Sequence, residues 1–275
     1  MTARLCADNS FPALYISGAA ISGSNGVPDI GVLTLDQFCK SIKEVSMASG
    51  LPIIADADTG FGEGEMMAKT VWEYFLSGAS GLHIEDQVFP KRCGHLDGKE
   101  LIPVGDMVKK VQIAVNASKE CSDGAFIICA RTDARGVTGI DDTISRAKAY
   151  VDAGADMIFP EGLCSAEEFQ QVSDALKGYG PKGGPFLLAN MTEWGKTPYL
   201  NVSEYAKMGY HMVIYPVSTF RIANKAIDNF LKELKDEGSQ KNSVDKMHSR
   251  QELYDTIKYK PGKEWYFPTS SNNSK

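Results

Sequence analysis

The sequence predicts an α/β chain folded as a (β/α)8 TIM-type barrel. Short apolar runs alternate with amphipathic helical stretches at a steady interval along all 275 residues, and such alternation implies parallel strands covered by helices on their outer face. Each apolar run closes on polar residues: Ser17, Asp56, Asp58, Glu85, Arg131, Glu161 and Asn190. That is the C-terminal mouth, where barrel enzymes place their chemistry. No linker or low-complexity stretch divides the chain, so one barrel domain with a C-terminal helical extension is expected over residues 1–260. Residues 261–275 read as a polar tail without regular structure.

Seven strands are expected, from "ALYISG" (13–18), "LPIIADADTG" (51–60), "GLHIEDQ" (81–87), "FIICARTDA" (126–134), "MIFPEG" (157–162), "FLLANMT" (186–192) and "HMVIYPVS" (211–218). Between them, "TLDQFCKSIKEVSMASG", "GEMMAKTVWEYFLSG" and "DDTISRAKAYVDAGA" have helical periodicity and C-terminal glycines. A closed barrel has eight strands, and "TARLCADNS" reads as the end of a helix. The expectation is therefore a barrel whose first strand is missing. After the last strand, "TFRIANKAIDNFLKELKDEG" and "SVDKMHSRQELYDTIKY" each read as one helix. The second has no place in a bare barrel.

A net charge of −6 and the lack of any Lys/Arg block argue against nucleic-acid or anionic-membrane partners and favour small molecules. The six cysteines show no C-x-x-C pairing, which fits reduced thiols. The opening residues lack a signal-peptide core and an Arg-rich presequence, and no apolar run reaches the length of a membrane span. A cytoplasmic protein is expected, with a mitochondrial one left open by the missing N-terminal strand. Two nucleotide-binding patterns are excluded: "SGAAISGSNG" lacks the G-x-G-x-x-G spacing, and "DTGFGEGE" lacks the Lys of a P-loop.

Asp56 and Asp58, two apart on a strand, should point the same way, and Glu85 ends the next strand. Three buried acids repel unless a cation neutralises them, and hard oxygen donors without histidine suit Mg²⁺, with Mn²⁺ as an alternative. One of the aspartates could instead cap a helix. In "KRCGH", Cys93 sits among Lys91, Arg92 and His95 in a polar loop, a setting that favours thiolate and proton transfer. Lys91 and His95 are accordingly taken as catalytic with it, and the other five cysteines as inert. Arg131 needs an anion, either Asp133 or a substrate carboxylate. Glu161 and Asn190 could line the mouth or only bond their own loops. Tyr15 and Ser17 alternate onto one face, and His83 reads as structural.

The motifs "YISGAA", "PDIG", "DADTGFG", "GLHIEDQ", "KRCGH", "ARTDA", "PEG" and "NMTEWGKTP" follow one another as in the isocitrate lyase and phosphoenolpyruvate mutase superfamily, which the chain resembles over nearly its whole length. "KRCGH" is similar to the lyase branch, whose loop cysteine donates a proton. The match through "YPVSTFRIANKA" and beyond follows the shorter members that cleave 2-methylisocitrate. The resemblance implies Mg²⁺ at Asp56 and Asp58, with Glu85 and Asp29 close by through water. It implies substrate contacts from Ser17, Gly18, Ala19, Cys93, Gly94, Arg131, Glu161, Asn190, Met191 and Thr192. Arg221 and Arg250 would add carboxylate contacts, and Tyr15 is a candidate base. Ala19 departs from the glycine usual in that branch, which keeps 2,3-dimethylmalate and oxaloacetate open as substrates. An inactive shortened homologue is the non-enzymatic alternative. The resemblance also implies a homotetramer acting on a di- or tricarboxylate, with Val244, Met247, Leu253 and Ile257 buried against a neighbouring subunit.

Overall fold

A computed structural model describes residues 1–94 and 96–265. All seven expected strands form, as the cores of the apolar runs: β1 (Leu14–Ile16), β2 (Ile53–Asp56), β3 (Gly81–Glu85), β4 (Ile127–Thr132), β5 (Met157–Pro160), β6 (Phe186–Asn190) and β7 (Met212–Ile214). They lie in sequence order in one sheet, and every neighbouring pair is parallel. The sheet curls into a nearly closed barrel with β1 and β7 as its two ends, so the count of seven holds among the described residues.

Strand alternation sorts the side chains into two cores. Ile53, Ala55, Leu82, Ile84, Ile128, Ala130 and Ile158 face outward and pack under the helices. Cys129, Met157, Phe159, Leu188 and Ile214 fill the barrel interior, with Tyr15 and Met212 against them. Cys129 is thus a fully buried floor residue, and burial pushes its thiol far above the usual range. An inert thiol was the expectation for it.

The helices are α1 (Thr2–Asp8), α2 (Gly18–Ser24), α3 (Leu35–Ser49), α4 (Glu65–Leu76), α5 (Val104–Ser122), α6 (Ile140–Asp152), α7 (Ala166–Leu176), α8 (Val202–Lys207), α9 (Ser218–Glu237) and α10 (Arg250–Thr256). Helix α3 starts at a capping box between Thr34 and Gln37 and stops at Gly50, whose φ of 66° ends the helix in the left-handed region.

The C-terminal extension departs from expectation. "SVDKMHSRQELYDTIKY" is not one helix: a 3₁₀ turn over Lys241–Lys246 is followed by a separate seven-residue α10. The break has a local cause. Ser249 caps the backbone N–H of Glu252 while the Glu252 side chain accepts from the N–H of Ser249, and this capping box starts a new helix. Helix α10 packs against α1, and Trp265 lies 6.0 Å from the Arg4 guanidinium. Of the expected tail, residues 266–275 lie outside the described residues. Among the described residues no helix is long and apolar enough to cross a membrane.

Candidate active site

Six adjacent strand ends, β1 to β6, and the loops that follow them build the mouth. Parallel register sets Asp56 beside His83 and Glu85 beside Arg131. Asp56 and Asp58 converge, though not as two residues of one strand. Strand β2 ends at Asp56, and Asp58 lies in the turn beyond it with a φ of 46°. Its N–H returns to Asp56 Oδ1 at 3.0 Å, which folds the second carboxyl back beside the first. Gly18 closes the pocket from β1: its N–H donates to Asp56 Oδ2 at 3.0 Å, and a Cβ there would stand 2.8 Å from that oxygen. Behind the turn, Tyr74 donates to the Asp56 carbonyl at 2.7 Å, and buried Lys110 donates to the Thr59 carbonyl at 3.0 Å.

Glu85 is fully buried, and neither carboxyl oxygen has a hydrogen-bond partner. Its nearest cation is Arg131, with Nε 3.3 Å from Glu85 Oε2. Burial pushes the Glu85 carboxyl well above its usual range, against the pull of Arg131 and Lys91. Burial and the neighbouring Asp56 raise Asp58 to about 6, opposed by Lys91. Lys91 was expected to favour a Cys93 thiolate. Instead its buried ammonium is held between Asp29 and Asp58, 2.9 Å from Asp58 Oδ1. Burial opposes that charge, but Glu85, Asp58, Asp56 and Asp29 outweigh it and keep the lysine protonated. The correction has an electrostatic reason: an ammonium that must be buried goes to the greatest density of acids.

Among the described residues, no group of three His, Cys, Asp or Glu side chains is drawn together as a ready metal cage. The donors nonetheless suit a hard cation. Glu85 presents two unsatisfied buried oxygens beside the paired aspartates, and Mg²⁺ is ordinarily held by one or two carboxylates while keeping several waters. A stability prediction follows. An aspartate whose folded pKa is about 6, against an ordinary value near ~4, adds stability that is fully present below pH ~4 and lost as pH rises through ~6, about 3 kcal/mol in all. A cation at Asp58 offsets that loss. Added Mg²⁺ is expected to raise the melting temperature more at pH 7.5 than at pH 5, and Asp58→Asn to flatten the difference. Equal shifts at both pH values by scanning calorimetry would refute this.

Arg131 meets Asp133 with two donors, Nε to Oδ2 at 2.9 Å and Nη2 to Oδ1 at 3.2 Å, and Nη1 stands 3.6 Å from Glu161 Oε2. Asp133 is therefore the anion that Arg131 requires in this chain. Glu161 accepts from its neighbour Gly162 N–H at 2.7 Å and from Asn190 Nδ2 at 3.0 Å, which ties β5 to β6. Met191 and Thr192 are buried just beyond Asn190. Ser17 caps α2 by accepting from Ala20 N–H at 3.2 Å, so "SGAA" opens a short helix, and Ala19 lies in its first turn.

Tyr15 hydrogen-bonds His83 Nε2 at 2.8 Å. Burial, then Asp56, lifts the Tyr15 hydroxyl well above its ordinary range, and burial lowers His83 to about 4. Both are neutral at pH 7. Tyr15 is thus a protonated hydroxyl paired with His83 Nε2, with which its proton can be shared.

The loop between β3 and α5 carries Cys93 and Gly94 over this mouth. Gly94 is buried, and a Cβ on it would lie 2.4 Å from both Arg131 Nη2 and Glu161 Cγ. Glycine is required at this approach. Cys93 is partly buried, while His95, expected to be catalytic, lies outside the described residues. Arg92 donates outward to the Asp97 carbonyl and is exposed. Arg221, in the first turn of α9, reaches the Glu193 carbonyl at 2.8 Å and carboxylate at 2.9 Å and stacks 5.0 Å over Trp194. Arg250 is exposed on α10, the helix packed against α1. The structure therefore gathers Gly18, Asp29, Asp56, Asp58, Glu85, Lys91, Gly94, Arg131, Glu161 and Asn190 by contacts and strand pairing, with Tyr15 joined to Asp56 through His83 and Ser17 at the start of α2 beside Gly18, and leaves Arg250 on the extension.

Sequence reading missed the layer beneath. Buried Asp86 accepts from Tyr150 at 2.7 Å, from Arg146 at 3.2 Å and from Asp133 N–H at 2.9 Å. Buried Lys99 stands 3.0 Å from Asp133 Oδ1. Strand alternation was the available signal for Asp86, since it must turn away from Glu85. Nothing local marked Lys99.

A parallel barrel with buried carboxylates and a cysteine-bearing loop at its C-terminal mouth defines a TIM-type barrel with its candidate active site at the end where barrel enzymes place their chemistry. The phosphoenolpyruvate phosphomutase family model matches residues 1–235. The chain is 48% identical over 249 residues to a 2-methylisocitrate lyase of Aeropyrum pernix, covering 90% of this chain and 77% of that protein. Among solved structures, 2,3-dimethylmalate lyase, a member of the PEP mutase/isocitrate lyase superfamily, superposes with a TM-score of 0.85 at 35% identity, covering 93% of this chain and 82% of that one. Oxaloacetate acetylhydrolase bound to 3,3-difluorooxalacetate gives 0.86 at 33% identity, covering 92% and 84%. This chain belongs to the phosphoenolpyruvate mutase and isocitrate lyase superfamily.

Proposed function

We propose that this chain is a Mg²⁺-dependent carbon–carbon lyase that cleaves 2-methylisocitrate to pyruvate and succinate. The observation that carries the reading is the Cys93–Gly94 segment, seated on Arg131 and Glu161 beside the acid pocket. The identity to the Aeropyrum pernix lyase supports the substrate.

Asp56 and Asp58 would hold the cation, with Glu85 and Asp29 close by through water. A bound Mg²⁺ would supply Lewis acidity at the 2-hydroxy carboxylate of the substrate. The residues of the chain do the rest. Gly18 and Ser17 bring α2 against the pocket to receive one carboxylate, and Arg131 orients another while Asp133 fixes its plane. When the C2–C3 bond breaks, its electron pair passes into the aci-carboxylate of the departing succinate. Cys93 delivers its proton to that carbon, forming succinate. Seated over the mouth through Gly94, the loop would exclude water from the carbanionic species. The 2-hydroxyl proton would go to Tyr15, whose oxygen can pass its own proton to His83 Nε2 at 2.8 Å.

The test is a pyruvate-release assay with 2-methylisocitrate, run with Mg²⁺ and after exhaustive chelation, and with 2,3-dimethylmalate and oxaloacetate as competing substrates. Release from 2-methylisocitrate that chelation abolishes is expected. Preferential turnover of either competitor would displace the reading.

The working assembly in this reading is a homotetramer in a reducing, cytosol-type compartment. Its support is an apolar surface that this chain leaves uncovered: Ile222, Ile227 and Leu231 on α9, and Val244, Met247 and Leu253 on the extension. Ile257 is already partly buried. Light scattering reads the assembly state directly.

A further inference from the structure

Lys99 is 7% exposed, an unusual state for a lysine in a loop. Its ammonium donates to the carbonyl oxygen of Gly94 and meets Asp133 Oδ1 at 3.0 Å. Asp133 does not need a second cation for charge, because Arg131 already meets both of its oxygens. Burying an ammonium carries a substantial desolvation penalty, so the use of this one lies in what else it holds. That is the backbone of the residue next to Cys93. Gly136 makes room for it: a Cβ there would stand 3.2 Å from Lys99 Nζ.

Within the loop the Leu96 N–H donates to the Cys93 carbonyl at 2.9 Å, and other described ties act at its stem, in the acid pocket and on its surface. Gln87 bonds Arg92 N–H at 2.9 Å and its carbonyl at 2.8 Å, which shapes the stem. Lys91 runs to the acid pocket. The Asp97–Lys196 pair is exposed, and such pairs add little. Lys99 instead joins the loop backbone, through the single carboxylate of Asp133, to the guanidinium over which that backbone closes.

We propose that Lys99 is a positioning residue, a buried tether that holds Cys93 and Gly94 closed over Arg131 and Glu161 and couples loop closure to the orientation of Arg131. The proposal rests on the reading of Cys93 as proton donor and adds the device that keeps it in place.

The experiment compares wild type with Lys99→Met, which keeps length but removes the donor, and with Lys99→Arg. Alkylation of Cys93 by iodoacetamide is followed by peptide mass spectrometry, with Cys121 as internal reference, alongside kcat, KM and melting temperature. In Lys99→Met, Cys93 should react at least about tenfold faster, the change that losing a hydrogen bond to a charged group makes in a local opening equilibrium. Cys121 should be unchanged, kcat should fall by more than KM changes, and Lys99→Arg should recover part of both. Loss of a positive charge alone would slow alkylation by disfavouring thiolate, so acceleration reports opening. If Lys99→Met does not fold, Gly136→Ala, which crowds the ammonium, should shift both readouts the same way by less. Cys93 reactivity and kcat within about twofold of wild type in the folded variant would overturn the proposal, since a broken buried tether cannot be that silent. Alkylation needs no substrate. A wild type that fails to cleave 2-methylisocitrate while the reactivity ratio stands would therefore remove the functional reading and leave the tether intact.

Discussion

Cys93→Ala is expected to lose at least about a hundredfold in kcat, the low end of what a positioned general acid contributes, with substrate affinity largely kept. The thiol is carried on a loop whose backbone at the next residue, Gly94, packs directly against Arg131 and Glu161, and in the proposed reaction it protonates the leaving carbon from there. Cys93 is only partly buried, so removing the sulfur takes away the proposed proton source without opening a cavity in the barrel core. The melting temperature should therefore barely move. Cys121→Ala and Cys129→Ala provide the contrast. Cys121 is partly buried on α5 and Cys129 lies in the barrel floor, and neither variant should lose more than about twofold in turnover, as expected of changes outside the reacting groups. Steady-state kinetics on the three variants decides the matter. Wild-type turnover by Cys93→Ala would assign the proton to another group.

The fold was legible because barrel strands carry a strong local signal. Each apolar run marked its strand, and the polar residue closing it marked the mouth. Where the structure departs from the reading, longer-range or backbone effects decide. Asp56 and Asp58 were read as strand neighbours, yet the strand ends at Asp56 and a left-handed Asp58 folds its carboxyl back. Lys91 was assigned by its neighbours in sequence to the thiol, but its partners Asp29 and Asp58 come from other loops. The Tyr15–His83 bond joins residues 68 apart, and Lys99 meets Asp133 across 34. No window of sequence reports such pairs. The break before α10 is a different case, because Ser249 and Glu252 spell a capping box that was open to reading.

Arg131→Ala is expected to produce the largest loss of stability. The guanidinium is buried and within 4 Å of three buried carboxylates: Asp133 at 2.9 Å, Glu85 at 3.3 Å and Glu161 at 3.6 Å. Burial opposes its charge, but those acids outweigh the penalty and hold it protonated. Deleting one partner of a buried ion pair leaves the other uncompensated and costs about 3–5 kcal/mol; here three acids share the loss. Part of it should return as the pH falls, because burial already raises the Glu85 carboxyl and deleting Arg131 removes the main charge that lowers it, so Glu85 takes up a proton more readily. Lys91 is too far committed to Asp29 and Asp58 to substitute. Arg131→Lys separates charge from geometry: a lysine restores one positive charge but cannot meet Asp133 with two parallel donors while facing Glu161. That variant should regain most of the folding stability and almost none of the turnover. Chemical denaturation of both variants at pH 7.5 and pH 5.5, with pyruvate release measured on the same preparations, tests the pair of expectations. An Arg131→Ala protein as stable as wild type at pH 7.5 would mean that the acids of the mouth are neutralised without it.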